Sequence, residues 1–219
     1  IKAMQYIYAY ETTASAPASQ FQNFLEKSIL SVKEQYLYLL LSIREVANFV
    51  ETDAKIKAGK HIKNEKDKNF NTKLLSNVII QYLNNDKEFE LEVKNAGVAS
   101  LLDDDNIRQL YKKMTDAKEY NEYLTNGLEF NVEEDRAIVT FLLDNILLED
   151  ENFSTNMDEL FTNWMDDAEF VIEAVHEVIQ KSKNQLKLHL EKGNLKDKFK
   201  ELTQFGIDLF NETISNKKE

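Results

Sequence analysis

The sequence predicts an all-α protein, a bundle of about eight helices. Apolar residues recur at spacings of three and four along almost the whole chain, and strand-like alternation is scarce. The 219 residues include one proline and five glycines, so little interrupts a helix. A chain of this length can bury a sizeable core without disulfides. These features favour helices that pack side by side.

The predicted helices follow from where the apolar pattern starts and stops. The longest begins at Pro17, because proline suits the first turn of a helix. Its apolar stripe continues to about Ala58 and is expected to pack against other helices. A lysine-rich loop is predicted at Lys60–Asn71. The predicted helices span residues 1–12, 17–58, 72–84, 86–96, 104–126, 132–148, 156–192 and 196–217.

Four glycines lie where helices are expected to end. They are Gly59, Gly97, Gly127 and Gly193. Glycine closes a helix well because it adopts the left-handed conformation without a steric penalty. Gly206 instead lies inside the last predicted helix, where glycine costs roughly 1 kcal/mol relative to alanine. We expect it to permit a close helix contact.

The net charge of −12 is unevenly distributed. Residues 129–177 contain fifteen acids and one base, Arg136, whereas residues 55–68 contain six lysines against Glu65 and Asp67. A polyanion would avoid the first segment and tolerate the second. The alternative is that both segments are simply solvated faces.

The composition narrows the class of protein. There is no cysteine, so disulfides and thiolate zinc sites are excluded, as suits a reducing cytoplasm. No apolar run approaches the ~20 residues of a membrane-spanning helix, and no signal peptide is recognisable. We therefore predict a cytoplasmic protein with no membrane association.

No motif points to catalysis. The sequence lacks a glycine-rich phosphate loop, a nucleophile elbow and a metalloprotease motif, so we predict a protein that is not an enzyme and has no cofactor. Glu173 and His176 have the spacing of a di-iron bundle motif, but His61 and His189 supply no second copy. No metal site is predicted. Acids at 103–105 are expected to start a helix, since carboxylates there oppose the helix dipole.

The first predicted helix is amphipathic. The side chains expected to face the core, about one turn apart, are Ala3, Met4, Ile7 and Tyr8. The side chains expected on another face, where they can contact a ligand, are Lys2, Gln5 and Tyr6.

The string Ala3-Met4-Gln5-Tyr6-Ile7-Tyr8 resembles the opening helix of the bacterial transcription antitermination factor NusB family. That family begins with an arginine-rich stretch, followed by alanine, an apolar residue, glutamine, two variable or apolar positions and tyrosine. Ala3, Met4, Gln5 and Tyr8 fit this pattern. The arginines would precede Ile1, so we expect the natural N-terminus to be missing and RNA affinity to be reduced.

A second resemblance lies near the other end. Asp197 to Phe205, with Leu209 and Asn216, is similar to the family's helix that leads into a C-terminal bundle. The long middle looks like the enlarged NusB-like proteins of the Bacteroidetes type, as does Trp164-Met165-Asp166-Asp167. The resemblance divides the chain into N-terminal helices (1–58), a helical insertion (59–195) and a return helix (196–219) that leads to an absent C-terminal bundle.

The resemblance implies an RNA-binding antitermination factor that acts on ribosomal RNA leader transcripts. Its partners would be single-stranded leader RNA, a small-subunit ribosomal protein and, indirectly, the RNA polymerase elongation complex. Bases would stack on an exposed aromatic ring, and phosphates would attract lysines. The first set of candidate RNA-binding residues is Lys2, Gln5 and Tyr6, and the second, electrostatic set is Lys60, Lys63, Lys66 and Lys68.

Two alternatives remain. One is a helical protein-interaction scaffold without an RNA role, which the acidic segment 129–177 favours. The other is the N-terminal accessory domain of an RNA methyltransferase, since NusB-like folds are also joined to such enzymes.

Overall fold

The computed structural model describes residues 2–13, 16–58, 71–126, 131–181 and 194–216, with side chains of the last range from Lys200. Every regular element in these ranges is helical, which confirms the all-α prediction. None of the described helices combines the length and apolarity that crossing a membrane demands. The described ranges contain ten α-helices: α1 (Lys2–Thr12), α2 (Ala18–Ala58), α3 (Val78–Asn85), α4 (Lys87–Ala96), α5 (Asp104–Asp116), α6 (Lys118–Thr125), α7 (Val132–Phe141), α8 (Glu151–Leu160), α9 (Trp164–Lys181) and α10 (Asn194–Asn216). Shorter 3₁₀ turns lie at Lys73–Ser76 and Val98–Leu101, and a π-helical segment at Leu142–Leu147 continues α7.

Three predicted helices are broken in the structure. The helix predicted at 72–84 divides at Asn77 (φ −55°, ψ 131°) into a 3₁₀ turn and α3. The helix predicted at 104–126 divides into α5 and α6, because Ala117 has an extended backbone (φ −72°, ψ 146°). The helix predicted from 156 begins earlier, at an Asp150 cap, and α8 ends at the extended Phe161. The buried ring of Phe161 packs against Tyr38, with ring centroids 5.5 Å apart. Neither Ala117 nor Phe161 is a helix breaker by type, and at Phe161 the contact of the ring with Tyr38 accounts for the end of α8.

The first compact unit comprises Ile1–Gln35 and His189–Glu219. It contains α1, the first part of α2, and α10. Its core side chains are Ala3, Phe21, Leu25 and Phe210. A Cβ at Gly206 would lie 3.2 Å from Ile29 Cδ1, so α10 approaches α2 closely here, which confirms the role expected for this glycine.

The second compact unit comprises Tyr36–Leu188. Residues 36–43 of α2 are buried on every side, as expected of a helix surrounded by others. Tyr38 shows how the neighbours pack on it: its ring stacks on Phe153 at 6.1 Å between centroids, and its hydroxyl accepts a hydrogen bond of 3.0 Å from Asn156 Nδ2.

Side-chain caps and one glycine fix helix ends in the second unit. Asp103 Oδ1 accepts hydrogen bonds from the backbone N–H groups of residues 105 and 106, so the acidic helix start predicted there is confirmed. Gly97 ends α4 with a φ of 70°, as predicted. Gly59, Gly127 and Gly193 lie outside the described residues.

A buried polar network joins α3, α6 and α7. Asp135 accepts two hydrogen bonds, from the Tyr123 hydroxyl at 2.7 Å and from the Val78 backbone N–H at 2.8 Å. Asn77 Nδ2 donates to the Asp135 carbonyl at 3.0 Å. Burial and the Asp135 carboxylate raise the pKa of Tyr123 above its usual range. Asp135 is one of the fifteen acids of residues 129–177, yet its side chain is 4% exposed and its hydrogen bonds link three helices.

Candidate nucleic-acid interface

α1 runs antiparallel to the start of α2. Three contacts fix this register, one turn apart along each helix. Nearest the loop, the ring centroids of Tyr10 and Phe21 lie 5.6 Å apart. One turn back along α1, the ring centroids of Tyr6 and Phe24 lie 6.5 Å apart. Near the N-terminus, Lys2 Nζ donates a hydrogen bond of 2.9 Å to Ser28 Oγ. The two helices therefore form an αα-hairpin that determines which face of α1 meets solvent.

α10 packs against another side of α1. The ring of Tyr10 lies 6.3 Å from that of Phe210, at an interplanar angle of 65°. Phe210 is fully buried. Because α2 and α10 hold α1 on two sides, the rest of its surface has a fixed orientation, which is what a recognition surface requires.

The core face of α1 differs from the predicted one. Ala3 is buried and Ile7 and Tyr10 pack against the same core, but Met4 is 69% exposed and Tyr8 is 70% exposed. The prediction that Met4 and Tyr8 face the core was wrong. Two neighbouring faces of α1 are apolar, and the positions of α2 and α10 select the face that carries Ala3.

The predicted RNA-binding residues of α1 do not share one face. Gln5 is exposed, whereas Tyr6 is half-buried against Phe24 and Lys2 is half-buried beside Ser28. The exposed aromatic side chain next to Gln5 is Tyr8, one turn further along. Its spacing of three residues from Gln5 was a signal available in the sequence.

The second predicted set consists of four lysines that follow α2 in the sequence. Lys60, Lys63, Lys66 and Lys68 all fall outside the described residues. The electrostatic prediction for that segment stays a prediction.

The charge around α1 is balanced. Residues 1–35 contain three lysines and three glutamates, in contrast with the fifteen acids of residues 129–177. Lys27 is exposed on α2, one residue before the Ser28 that meets α1. Burial raises the pKa of Glu34, and Lys33 opposes that rise. Residues 1–35 therefore carry no net charge, so this part of the first unit does not repel a polyanion as a strongly acidic surface would.

His176, the histidine of the Glu173–His176 spacing noted in the sequence, contacts an acidic side chain. His176 Nε2 lies 2.9 Å from Asp144 Oδ1, between α9 and the π-helical segment. Among the described residues, no three side chains of the types that bind metals are grouped.

Comparisons with known proteins identify no relative. No family model, curated protein or solved structure matches this chain.

Proposed function

We propose that this protein binds single-stranded RNA through the exposed face of α1 formed by Met4, Gln5 and Tyr8. We further propose that it acts in transcription antitermination on ribosomal RNA leader transcripts, with a small-subunit ribosomal protein and, through it, the RNA polymerase elongation complex. The resemblance of residues 3–8 to the NusB family supports this function. The observation that carries it is the 70% exposure of the Tyr8 ring, one turn from the exposed Gln5.

The exposed side chains offer the contacts that unpaired bases need. A base that stacks on an aromatic ring gains roughly 1–3 kcal/mol. The Gln5 amide both donates and accepts hydrogen bonds, so it can pair with the edge of a stacked base. Met4 lies one turn before Tyr8 and extends the apolar platform. Together they provide a ring, an amide and a polarizable side chain on one helical face.

The same face favours single strands over duplex RNA. In an A-form duplex the deep major groove excludes side chains, and sequence is read mainly where bases are unstacked. An isolated tyrosine ring beside an amide gives a duplex little to contact.

Fluorescence anisotropy with a labelled single-stranded leader RNA tests the proposal. Tyr8→Ala removes the stacking ring and is expected to weaken binding by about five- to 160-fold, following the stacking range above. Tyr8→Phe keeps the ring and is expected to bind like the parent chain. Equal affinity of Tyr8→Ala and the parent chain, or no affinity even at low salt, would refute the RNA-binding role.

A protein-interaction scaffold without an RNA role is the second candidate. One observation favours it: the exposed apolar stripe of α10, with Leu202 at 47%, Phe205 at 67% and Leu209 at 37% exposure. A spacing of three and four residues is typical of a face that packs against another helix. The absence of RNA binding in the anisotropy titration would favour this function.

A further inference from the structure

The outward face of α9 combines exposed apolar side chains with uncompensated acids. The inward face is a regular stripe formed by Trp164, Asp167, Val171, Val175 and Ile179. On the opposite side Met165 is 79% exposed and Phe170 is 53% exposed. Asp166, Glu169 and Glu173 are exposed between them on the helical projection, because successive residues turn by about 100°. We call these five residues the α9 surface.

The acids of the wider segment divide into two groups. Some serve the fold: Asp135 bonds to Tyr123, Asp150 pairs with Lys113 and caps α8, and Glu134 Oε2 lies 3.4 Å from Lys73 Nζ. These carboxylates are already compensated within the second unit. Only part of the negative charge of residues 129–177 is therefore left to bind a partner.

The acids of the α9 surface belong to the other group. None of Asp166, Glu169 and Glu173 forms an ion pair with a cation in the part of the chain that the structure describes. Asp166 lies in the first turn of α9, where backbone N–H groups favour a carboxylate. Glu169 and Glu173 lie beyond that turn, so the helix dipole does not account for them.

The two apolar side chains distinguish this surface from other acidic surface. Asp158 and Glu159 on α8 are also exposed acids, but no large apolar side chain of α8 is exposed. Single exposed apolar residues are ordinary. Met165 and Phe170 lie on either side of an acidic ridge that spans about 10 Å along the helix.

Charge complementarity identifies the kind of occupant. A second copy of the chain would place the same acids against each other, and RNA or an anionic membrane would be repelled. A segment with lysines or arginines opposite the ridge and apolar side chains at its edges satisfies both features.

We propose that the α9 surface is a docking site for a basic amphipathic helix of a protein partner. Met165 and Phe170 anchor the partner's apolar side chains, and Asp166, Glu169 and Glu173 select its positive charge. This interaction lies in the second unit and does not depend on RNA binding by α1.

The test uses the full chain and a labelled probe peptide of about 18 residues, a length that matches α9. The peptide carries a stripe of lysines bordered on both sides by leucines, so that it matches the acidic ridge and its two apolar edges. One control peptide has glutamates in place of the lysines, and another has the same composition in a non-amphipathic order. We expect saturable binding of the first peptide at about 50 mM salt and weaker binding as salt rises. Both control peptides are expected to bind much more weakly.

Two variants separate the anchors from the charges. The double variant Met165→Ala with Phe170→Ala is expected to weaken peptide binding by at least about ten-fold, since buried apolar anchors dominate small interfaces. Neutralising the ridge with Asp166→Asn, Glu169→Gln and Glu173→Gln is expected to weaken it by about five-fold and to flatten the salt dependence.

Matched changes elsewhere serve as controls. Leu91→Ala, at a residue 53% exposed on α4, and Asp158→Asn with Glu159→Gln on α8 are expected to leave peptide affinity within about two-fold of the parent. Circular dichroism establishes that each variant is folded. All changed side chains are at the surface, so the fold is expected to persist.

Several results would overturn the proposal. These are no peptide binding at low salt, equal binding by the parent and both α9 variants, or stronger binding of the glutamate peptide. If sedimentation shows a dimer that Met165→Ala with Phe170→Ala abolishes, the occupant is a second copy. If the same double variant loses RNA affinity, the surface contacts RNA. Failure of RNA binding alone leaves the peptide result unaffected.

Discussion

Asp135→Asn tests the buried network that joins α3, α6 and α7. One carboxylate oxygen accepts from the Tyr123 hydroxyl and the other from the Val78 N–H, at 2.7 and 2.8 Å. An asparagine has one acceptor oxygen and an NH₂ group, which would face a second donor. The variant therefore loses one hydrogen bond to a charged group, about 1.5–3 kcal/mol, and weakens the other. We expect the free energy of unfolding to fall by about 2–4 kcal/mol.

Urea denaturation followed by circular dichroism measures this loss. Asp158→Asn provides the matched control, because this aspartate is exposed, and we expect a change within about 0.5 kcal/mol. Tyr123→Phe completes a double-mutant cycle with Asp135→Asn. The coupling free energy between the two positions is expected to be at least about 1 kcal/mol. A loss below about 0.5 kcal/mol for Asp135→Asn, or a coupling indistinguishable from zero, would refute the reasoning.

Two further predictions concern stability. Burial raises the pKa of Tyr38 to about 12, although Asn156 opposes the rise, and also raises the pKa of Tyr120 to about 12. Because the folded pKa exceeds the unfolded value near 10, their contribution is complete below pH ~10 and is lost as the pH rises towards 12. Alkaline titration of the unfolding free energy should show this decline, and a flat profile across that window would contradict it. Separately, Gly206→Val adds a branched side chain 3.2 Å from Ile29 Cδ1, and we expect a loss of about 1–3 kcal/mol in thermal or urea unfolding. An unchanged stability would show that α10 does not approach α2 closely.

The sequence predicts much of the fold because helix signals are local. The start of α2 after Pro17, the cap at Asp103 and the end of α4 at Gly97 all depend on neighbouring residues. The break at Phe161 does not depend on neighbouring residues in the sequence. Its extended backbone follows from packing of its ring on Tyr38, a contact between residues far apart in the chain.

The candidate site on α1 is predicted only in part, because it too depends on contacts between residues far apart in the chain. Gln5 lies on the exposed face, but sequence periodicity alone assigns Tyr8 to the core and Tyr6 to the ligand. Both assignments depend on where α2 and α10 pack, which a local pattern does not contain. The net charge likewise contains no information on burial. Asp135, which is 4% exposed, and Glu173, which is exposed, contribute equally to it.

The central claim is that α1 reads single-stranded RNA, and an NMR titration tests it most directly. Single-stranded leader RNA is added to the isotope-labelled chain at low salt, and amide and aromatic shifts are followed. We expect the largest changes at Met4, Gln5 and Tyr8, saturating with RNA, and none along α9. Saturating RNA that shifts residues of another surface, or that shifts nothing, would contradict the account.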